Sequence, residues 1–303
     1  MKWKVFSAIL AALLLWSSSF AGIRAGLLGG YSPGHLVLLR FLFASCVFAV
    51  LAGLGKVRLA HPLDMAKLAF LGLIGVFMYQ ITLAFGEQVV PAGTAGLIQG
   101  TVPTFTAIIA VLALRERLSV LGWLGIAIGM FGISLITFQS GQPQGFTIGA
   151  VLILLPTLFA SAFFVWQKPL LSRYSAIELM AYCTWFGTIP MLFFLPGLVP
   201  AVYHATAEAT GAVLYIGVFP AVVAYVCWSF ALSRAKASIV SSSLYLNPVL
   251  SIAFAWLWIG EIPSLMAVIG GATALFGVVM VSLWGSSCGV RTGSTEETFG
   301  SQV

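Results

Sequence analysis

Two prolines in apolar surroundings are the first places in this chain where residue types indicate solute binding. Pro103 and Pro248 lie near the centres of two predicted membrane helices. A proline inside a helix removes one backbone hydrogen bond and clashes with the carbonyl four residues earlier, which frees the carbonyls of Gln99 and Leu244. In lipid, such groups need a protein partner or a water-lined cavity. The nearby polar side chains that could share a cavity are Gln99, Thr101, Tyr245 and Asn247.

Paired interruptions in two halves of a membrane protein indicate a solute site near the middle of the bilayer. The alternative is that both prolines only bend their helices, while neighbouring hydroxyls bond their own backbone. Amphipathic side chains on other predicted helices are further candidates for the pathway: Trp16, Ser18, Tyr79, Gln80, Trp166, Tyr225 and Trp228. Aromatic residues also anchor helices at the membrane surface. That second role is predicted for Trp3, Trp123, Trp258 and Trp284.

Among the candidate site residues, Arg40 gives the strongest indication of function. It lies about six residues, or roughly 9 Å, inside the outer end of its predicted helix at 1.5 Å per residue. Burying a guanidinium there costs several kcal/mol unless it faces a cavity or a partner. Three interpretations stay open: contact with a substrate carboxylate or phosphate, extension of the side chain towards the membrane surface, and pairing with Glu87.

Signs of catalysis are missing from the sequence. HExxH, GxSxG and the P-loop are absent, and Asp64 is the only aspartate. We therefore predict no enzyme activity, no catalytic residue, no cofactor and no metal site. The glutamates nearest the apolar stretches, Glu87, Glu116, Glu178 and Glu261, all lie at predicted helix ends. A buried carboxylate for coupling to sodium or protons is thus not visible, although protonation of a glutamate at a helix end stays open.

The composition shows which elements must position these residues. Of the 303 residues, 60% are hydrophobic and 7% are charged, against about 25% charged in soluble proteins. A helix needs about 20 apolar residues to cross a bilayer, and the strand alternation of a β-barrel is missing. We predict an all-α membrane protein with ten helices near 5–27, 34–54, 68–88, 92–114, 119–138, 148–170, 177–197, 211–233, 237–259 and 264–285.

Basic residues set the predicted orientation. With the N-terminus inside, 12 of the 14 Lys and Arg residues fall in cytoplasmic segments, as the positive-inside rule requires. Both termini are then cytoplasmic, and because the bases are spread over several loops, nucleic-acid binding is not expected. Lys2 and Lys4 before an apolar run also imitate a secretory signal. Since nine more helices follow, we expect this segment to stay as the first helix.

The two halves of the chain repeat each other. An offset of 145 residues aligns the rarer residue types, as in Gly72 with Gly217, Ala92 with Ala237, Pro103 with Pro248 and Glu116 with Glu261, and an offset of 144 aligns Arg24 with Lys168. Five helices in each half would insert the second half upside down, the inverted repeat of many secondary transporters. Small residues on the fifth and tenth predicted helices, among them Gly132 and Gly277, would let helices pack closely or join two copies of the chain.

On these residues, the chain resembles the EamA-type permeases of the drug/metabolite transporter superfamily. The resemblance covers roughly residues 5–285. Its marks are Trp16-Ser17-Ser18-Ser19-Phe20, Leu39-Arg40-Phe41, Ala92-Gly93-Thr94-Ala95 leading to Pro103, Glu116 with Gly125 and Gly132, and in the second half Pro248, Gly260-Glu261, Gly270 and Gly277. Arg115 stands where family members often have glycine, which weakens a functional role for Glu116. The resemblance implies two five-helix EamA repeats and export or exchange of amino acids or other small metabolites by alternating access.

The expected organisation is a first repeat at 1–138, an exterior linker at 139–147, a second repeat at 148–285 and a disordered cytoplasmic tail at 286–303. We expect a permease in the bacterial cytoplasmic membrane that moves a small metabolite, with an amino acid as one option. Its expected partners are that substrate, the lipid bilayer and, as an option, a second copy in a homodimer. A membrane scaffold or sensor that does not transport is the alternative.

Overall fold

The computed structural model describes residues 2–102, 105, 109, 119–137, 146–234, 240 and 243–284. Within these residues every regular element is helical, which confirms the predicted all-α class. The predictions made for Pro103, Glu116, most of the linker at 139–147 and the tail at 286–303 fall outside this part of the chain.

The described α-helices follow the predicted order along the chain. They are α1 (Lys2–Leu28), α2 (Pro33–Gly53), α3 (Pro62–Gly72), α4 (Tyr79–Gly86), α5 (Ala92–Gln99), α6 (Val120–Thr137), α7 (Phe146–Trp166), α8 (Ala176–Met191), α9 (Leu198–His204), α10 (Ala207–Val218), α11 (Tyr225–Arg234), α12 (Asn247–Ile259) and α13 (Leu265–Trp284). Short 3-10 turns occupy Leu170–Ser172, Leu192–Phe194 and Ser243–Leu246. The short helix α9 was not predicted, and α5 is the described start of the helix predicted at 92–114.

In the part of the chain that the structure describes, six continuous helical segments are long and apolar enough to cross a membrane. They are Trp3–Leu28, Pro33–Gly53, Pro62–Gly86, Thr147–Ser172, Ala176–Phe194 and Ala207–Arg234. Shorter apolar helices cover Val120–Ile136, Ser243–Ile259 and Leu265–Gly277. Within the described residues, the apolar stretches of the sequence therefore form helices of membrane-spanning character.

Side-chain caps fix where several of these helices begin. The Ser32 side chain accepts from the His35 N–H at the start of α2. Ser175 and Glu178 form a reciprocal capping box at the start of α8. Such caps satisfy backbone N–H groups that have no partner inside the helix, so the boundaries follow from local residue types.

Two π-helical segments interrupt the spanning helices at matching places in the two halves. Leu73–Met78 joins α3 to α4, and Phe219–Ala224 joins α10 to α11. A π-helix adds a residue to the turn, is rare, and is often found at functional sites. No local sequence pattern indicates these segments, although Gly72 and Gly217, which the repeat aligns, lie just before them.

The same two glycines mark equivalent contacts between the halves. A side chain on Gly72 of α3 would meet the carbonyl of Cys183 and the amide of Gly187 in α8. A side chain on Gly217 of α10 would lie 2.7 Å from the carbonyl of Arg40 in α2. In the repeat, α3 corresponds to α10 and α8 corresponds to α2. The contact of α3 with α8 is therefore repeated as the contact of α10 with α2, which agrees with a repeated structure.

Helix α5 of the first half packs closely against α12 of the second half, which carries Pro248. Side chains on Gly96 and Gly100 would collide with Ser251 and Pro248 of α12. Helix α1 packs against α5, α10, α11 and α12, so its middle lies in the core of the molecule. The first predicted helix is therefore an integral part of the fold.

Helices α6 and α13 pack mainly against each other. A side chain on Gly132 would meet the main chain of Gly270 and Ala274, and one on Gly277 would meet the main chain of Gly125. This confirms the predicted packing role of these small residues, which lets the two backbones approach closely.

Candidate substrate cavity

A narrow cavity lies between helices of both halves. About 50 Å³ of it is open to the centres of water molecules, which is room for a few waters. The surrounding residues are Trp16, Ser19, Phe20, Arg40, Gly75, Tyr79, Gln80, Leu83, Gln99, Val102, Ala160, Phe163, Phe164, Tyr225, Leu244 and Asn247. The wall combines one cation, several amides and hydroxyls, and a large aromatic surface.

Arg40 is buried in the wall of the cavity, with 1% of its surface exposed. Its Nη1 donates to Oε1 of Gln80 over 2.7 Å, and its Nε donates to the carbonyl of Ile216 over 3.2 Å. Gln80 in turn donates from Nε2 to the hydroxyl of Tyr225 over 3.5 Å. Of the three interpretations offered for Arg40, the structure excludes extension to the surface, and it shows no ion pair with Glu87 among the described residues.

The absent side chain of Gly217 permits this arrangement. It lets α10 approach α2 so closely that the Ile216 carbonyl reaches the Arg40 guanidinium. A buried guanidinium needs such partners, because an unpaired charge in a dry interior is costly. The hydrogen bonds hold Arg40 at the cavity edge and leave its charge only partly compensated, by neutral acceptors.

An aromatic cluster forms part of the cavity wall. The ring centroid of Trp16 lies 5.1 Å from those of Tyr225 and Trp228 and 6.2 Å from that of Phe164. The Trp16 and Trp228 indole N–H groups are buried and have no hydrogen-bond partner among the described residues. Rings in such edge-on and tilted contacts form a stiff apolar surface, and the indole of Trp16, which lines the cavity, keeps a donor that a solute could use.

Each of the two tyrosines of the cavity lies at the end of a π segment. Tyr79 directly follows the first π segment, and Tyr225 directly follows the second. Each π segment therefore ends where its half contributes a tyrosine to the wall. Sequence reasoning had found both residues without the feature that positions them.

Two further polar residues tie helices together at the cavity. Gln99 donates from Nε2 to the carbonyl of Ile153 over 3.1 Å. Ser17 donates to Oδ1 of Asn247 over 2.6 Å, which links α1 to the start of α12. Both contacts are buried, so they satisfy polar groups that would otherwise be unpaired in the membrane interior.

Pro248 lies in the first turn of α12, directly after the 3-10 turn Ser243–Leu246. A proline fits there because the first N–H groups of a helix have no intrahelical partner. The predicted interruption is thus a junction of two helical segments and not a bend inside one. Its counterpart Pro103 lies outside the described residues.

Several residues predicted for the pathway lie elsewhere. Ser18 shares a hydrogen bond with the hydroxyl of Tyr215, 2.8 Å apart, and Thr101 donates to the carbonyl of Ile98. Trp166 ends α7, is 45% exposed and borders a separate groove. Trp228 packs against Trp16 and Phe164 but does not line the cavity. Tyr245 also lies outside the lining. The structure brings together Trp16, Arg40, Tyr79, Gln80, Gln99, Tyr225 and Asn247.

A polar clasp joins the two halves outside the residues that line the cavity. Arg24, near the end of α1, forms an ion pair with Glu261 over 2.9 Å and donates to the carbonyl of Glu87 over 2.7 Å. The second oxygen of Glu261 accepts from the Ala92 N–H at the start of α5 over 3.1 Å. We call Arg24, Glu261 and these main-chain partners the clasp. Glu87 itself is fully buried, which the sequence prediction missed.

The profile of the EamA-like transporter family matches residues 2–138 and again residues 147–283. Each match covers one five-helix half of the predicted repeat. The chain belongs to the EamA-like transporter family.

Similar proteins agree with this membership. An uncharacterized transporter of Bacillus subtilis, YdfC, is 39% identical over 269 residues, which cover 89% of this chain and 88% of that protein. A protein of Streptantibioticus cattleyicolor named as a probable terminal-alkyne amino-acid exporter is 33% identical over 279 residues, covering 92% and 93%. A solved crystal structure shares the fold with a TM-score of 0.61 at 20% identity, covering 92% of this chain and 96% of that one.

As an EamA-like protein with several membrane-spanning helices, the chain is a multi-pass membrane protein related to transporters. The resemblance stated from the sequence is confirmed. The family and the relatives favour transport over catalysis, as the lack of catalytic motifs had suggested.

Proposed function

We propose that this EamA-like protein is a secondary transporter that moves a small amphipathic solute with a carboxylate group, such as an amino acid, across the bacterial cytoplasmic membrane. The observation that carries the proposal is the placement of buried Arg40 in the wall of a cavity that aromatic rings also line. A guanidinium binds a carboxylate with two parallel hydrogen bonds. The aromatic wall suits the apolar part of the same molecule.

The relative named as a probable amino-acid exporter supports this substrate class. An apolar or aromatic amino acid combines the two chemistries that the cavity wall offers. The residues proposed to contact it are Trp16, Arg40, Tyr79, Gln80, Gln99, Tyr225 and Asn247.

Transport proceeds by alternating access in this proposal. The cavity holds only a few waters, so an amino acid fits only after the walls move apart. The repeats at 1–138 and 148–285 are the two bodies that move, inserted in opposite directions with both termini cytoplasmic. This orientation places the clasp of Arg24 and Glu261 at the outer end of the cavity, where its ion pair closes the exterior path.

The test is flux through purified full-length protein in proteoliposomes loaded with a mixture of radiolabelled L-amino acids. We expect the wild type to release one or a few of them. Arg40→Gln keeps a polar side chain but removes the charge, so substrate binding should weaken by about 10- to 100-fold, the value of a charge-assisted hydrogen bond. Lys56→Gln, which removes an exposed charge, is the matched control and should transport normally.

Arg40→Lys separates charge from geometry, because lysine keeps the charge and loses the planar fork. An intermediate loss of affinity is expected. Unchanged transport by folded Arg40→Gln would contradict the carboxylate role of Arg40. If the wild type moves no amino acid, the proposed substrate class is wrong. If it also moves no metabolite from a cell extract, the result favours a membrane scaffold or sensor over a transporter.

A further inference from the structure

Glu87 is a buried carboxylate that the proposed transport cycle does not yet use. It lies at the end of α4, in the turn towards α5, and none of its surface is exposed. Among the described residues, neither Oε1 nor Oε2 has a hydrogen-bond partner. Buried carboxylates ordinarily accept several hydrogen bonds, so this side chain needs a physical explanation.

Charged and titratable groups from four elements act on Glu87. They are Arg24 of α1, Arg40 of α2, Tyr79 of α4 and Glu261 after α12. Glu87 therefore interacts electrostatically with residues of the clasp, Arg24 and Glu261, and with Arg40 and Tyr79, which line the cavity.

Both neighbouring guanidinium groups make their described hydrogen bonds to other acceptors. Arg24 binds the carboxylate of Glu261 and the main-chain carbonyls of Glu87 and Gln88. Arg40 binds Gln80 and the carbonyl of Ile216. A carboxylate that is buried without direct partners is unstable as an anion, because desolvation disfavours the charged form. Burial therefore favours the neutral acid in this arrangement.

We propose that Glu87 is the proton-binding site that couples transport to the proton gradient, an inference that rests on the proposed function. While the clasp is closed, the carboxyl group holds a proton. When Arg24 separates from Glu261, water enters and the released guanidinium can pair with Glu87, which then gives its proton to water as its O–H bond breaks. Protonation of Glu87 and closure of the clasp therefore favour each other.

A proton fits the site better than a metal cation. No group of three or more His, Cys, Asp or Glu side chains that could hold a metal occurs in the described part of the chain. The nearby guanidinium groups also repel a second fixed cation. A proton needs only one carboxylate oxygen.

The first measurement is independent of the substrate. Infrared difference spectra between wild type and Glu87→Gln, recorded at neutral pH on the full chain in lipid nanodiscs, should show a protonated carboxylic acid C=O band that the variant lacks. Glu208→Gln, which alters an exposed glutamate, is the matched control and should change carboxylate bands only. If Glu87→Gln also removes only carboxylate bands, Glu87 is ionised and the proposal is overturned.

The second measurement follows proton movement in proteoliposomes with an internal pH dye and the labelled L-amino-acid mixture. Wild type and Glu208→Gln should move protons together with the amino acid, and a pH gradient should drive its accumulation. Glu87→Gln should exchange amino acid without proton movement, and Glu87→Asp should keep some coupling because it can still be protonated.

These results separate the two proposals. Amino-acid flux that ignores the pH gradient, or that follows a sodium gradient instead, overturns the role of Glu87 and leaves the transport function standing. If the wild type carries no amino acid, the proposed substrate class fails, and the infrared band still decides whether Glu87 holds a proton.

Discussion

The two halves of the molecule contribute different chemistry to one cavity. The first half supplies Arg40 and Gln80, whereas the corresponding stretch of α8 in the second half, residues 184–186, carries no charge. Both halves supply a tyrosine directly after a π segment. The repeated backbone has thus kept its shape while its side chains diverged, and an asymmetric site suits a solute with one charged and one apolar end.

The largest effect is expected from a substitution at Gly217 that pushes α10 of the second half away from α2, the helix of the first half that carries Arg40. In Gly217→Ala the new methyl group would lie 2.7 Å from the Arg40 carbonyl. Overpacking against backbone typically costs about 1–3 kcal/mol of unfolding free energy, and we expect a loss of that size together with loss of transport. Thermal unfolding in detergent and proteoliposome flux measure the two effects.

Gly211→Ala is the matched control in the same helix, since nothing lies within 4 Å of the added methyl group. It should leave stability unchanged or raise it by up to about 1 kcal/mol through helix propensity. Equal destabilisation by both substitutions would show that close approach at Gly217 is not what matters.

The next effect tests the link between α1 and α12. Ser17 and Asn247 share a buried hydrogen bond of 2.6 Å across the two halves. Ser17→Ala and Asn247→Ala should each lower the unfolding free energy by about 1–3 kcal/mol, because the remaining partner is left unpaired.

The double variant should cost less than the sum of the two single variants, with a coupling of at least about 0.5 kcal/mol. Ser7→Ala, at an exposed position of the same helix, should change stability by less than about 0.5 kcal/mol. Strict additivity of the Ser17 and Asn247 effects would mean that this bond does not join the halves energetically.

A smaller effect is expected at the clasp. Arg24 and Glu261 are partly exposed, with 15% and 21% of their side-chain surfaces accessible, so their ion pair contributes only about 0.2–1 kcal/mol. Glu261→Gln should lose that contribution yet keep an acceptor for the Ala92 N–H. Glu261→Ala loses both and should be destabilised further, by about 0.5–2 kcal/mol as for other caps. Chemical unfolding measures both losses. If the unfolding curves of Glu261→Gln and Glu261→Ala coincide, the greater destabilisation expected for Glu261→Ala is wrong.

The smallest effect distinguishes the two tyrosines. The Gln80 amide reaches the Tyr225 hydroxyl over 3.5 Å, a long and therefore weak hydrogen bond. Tyr225→Phe should raise the apparent KM for transport by only about two- to fivefold, the effect of losing up to about 1 kcal/mol. Tyr79→Phe tests the hydroxyl of the tyrosine that follows the first π segment. If Tyr79→Phe raises the apparent KM more than Tyr225→Phe does, the Tyr79 hydroxyl, and not the Gln80–Tyr225 hydrogen bond, matters more for transport.

Local sequence signals were sufficient for the all-α class and for the apolar helical segments of the described residues, but not for every site residue. Apolar length and turn residues located the helices, and the glycine patterns predicted the packing of α6 against α13. Arg40 and Asn247 stood out because polar residues are rare in such surroundings. Trp166 and Ser18 had the same composition signal but lie outside the cavity, because helix rotation decides which face a side chain occupies.

Glu87 is a site residue whose burial the local sequence did not predict. A glutamate at a helix end is ordinarily solvated, so its position in the chain predicts exposure. Glu87 is buried instead, and its neighbours Arg24 and Glu261 come from segments far away in sequence. No local pattern contains that contact.

The sequence by itself determined that this chain is helical, lies in a membrane and consists of two related halves, because hydrophobicity, helix length and repeated residue types are local properties. Only the tertiary structure decided that Arg40 is held by Gln80 and Ile216, that Tyr79 and Tyr225 line one cavity, and that Glu87 is buried. Each of these depends on how far two helices approach and rotate against each other, which is set by packing among residues distant in the chain.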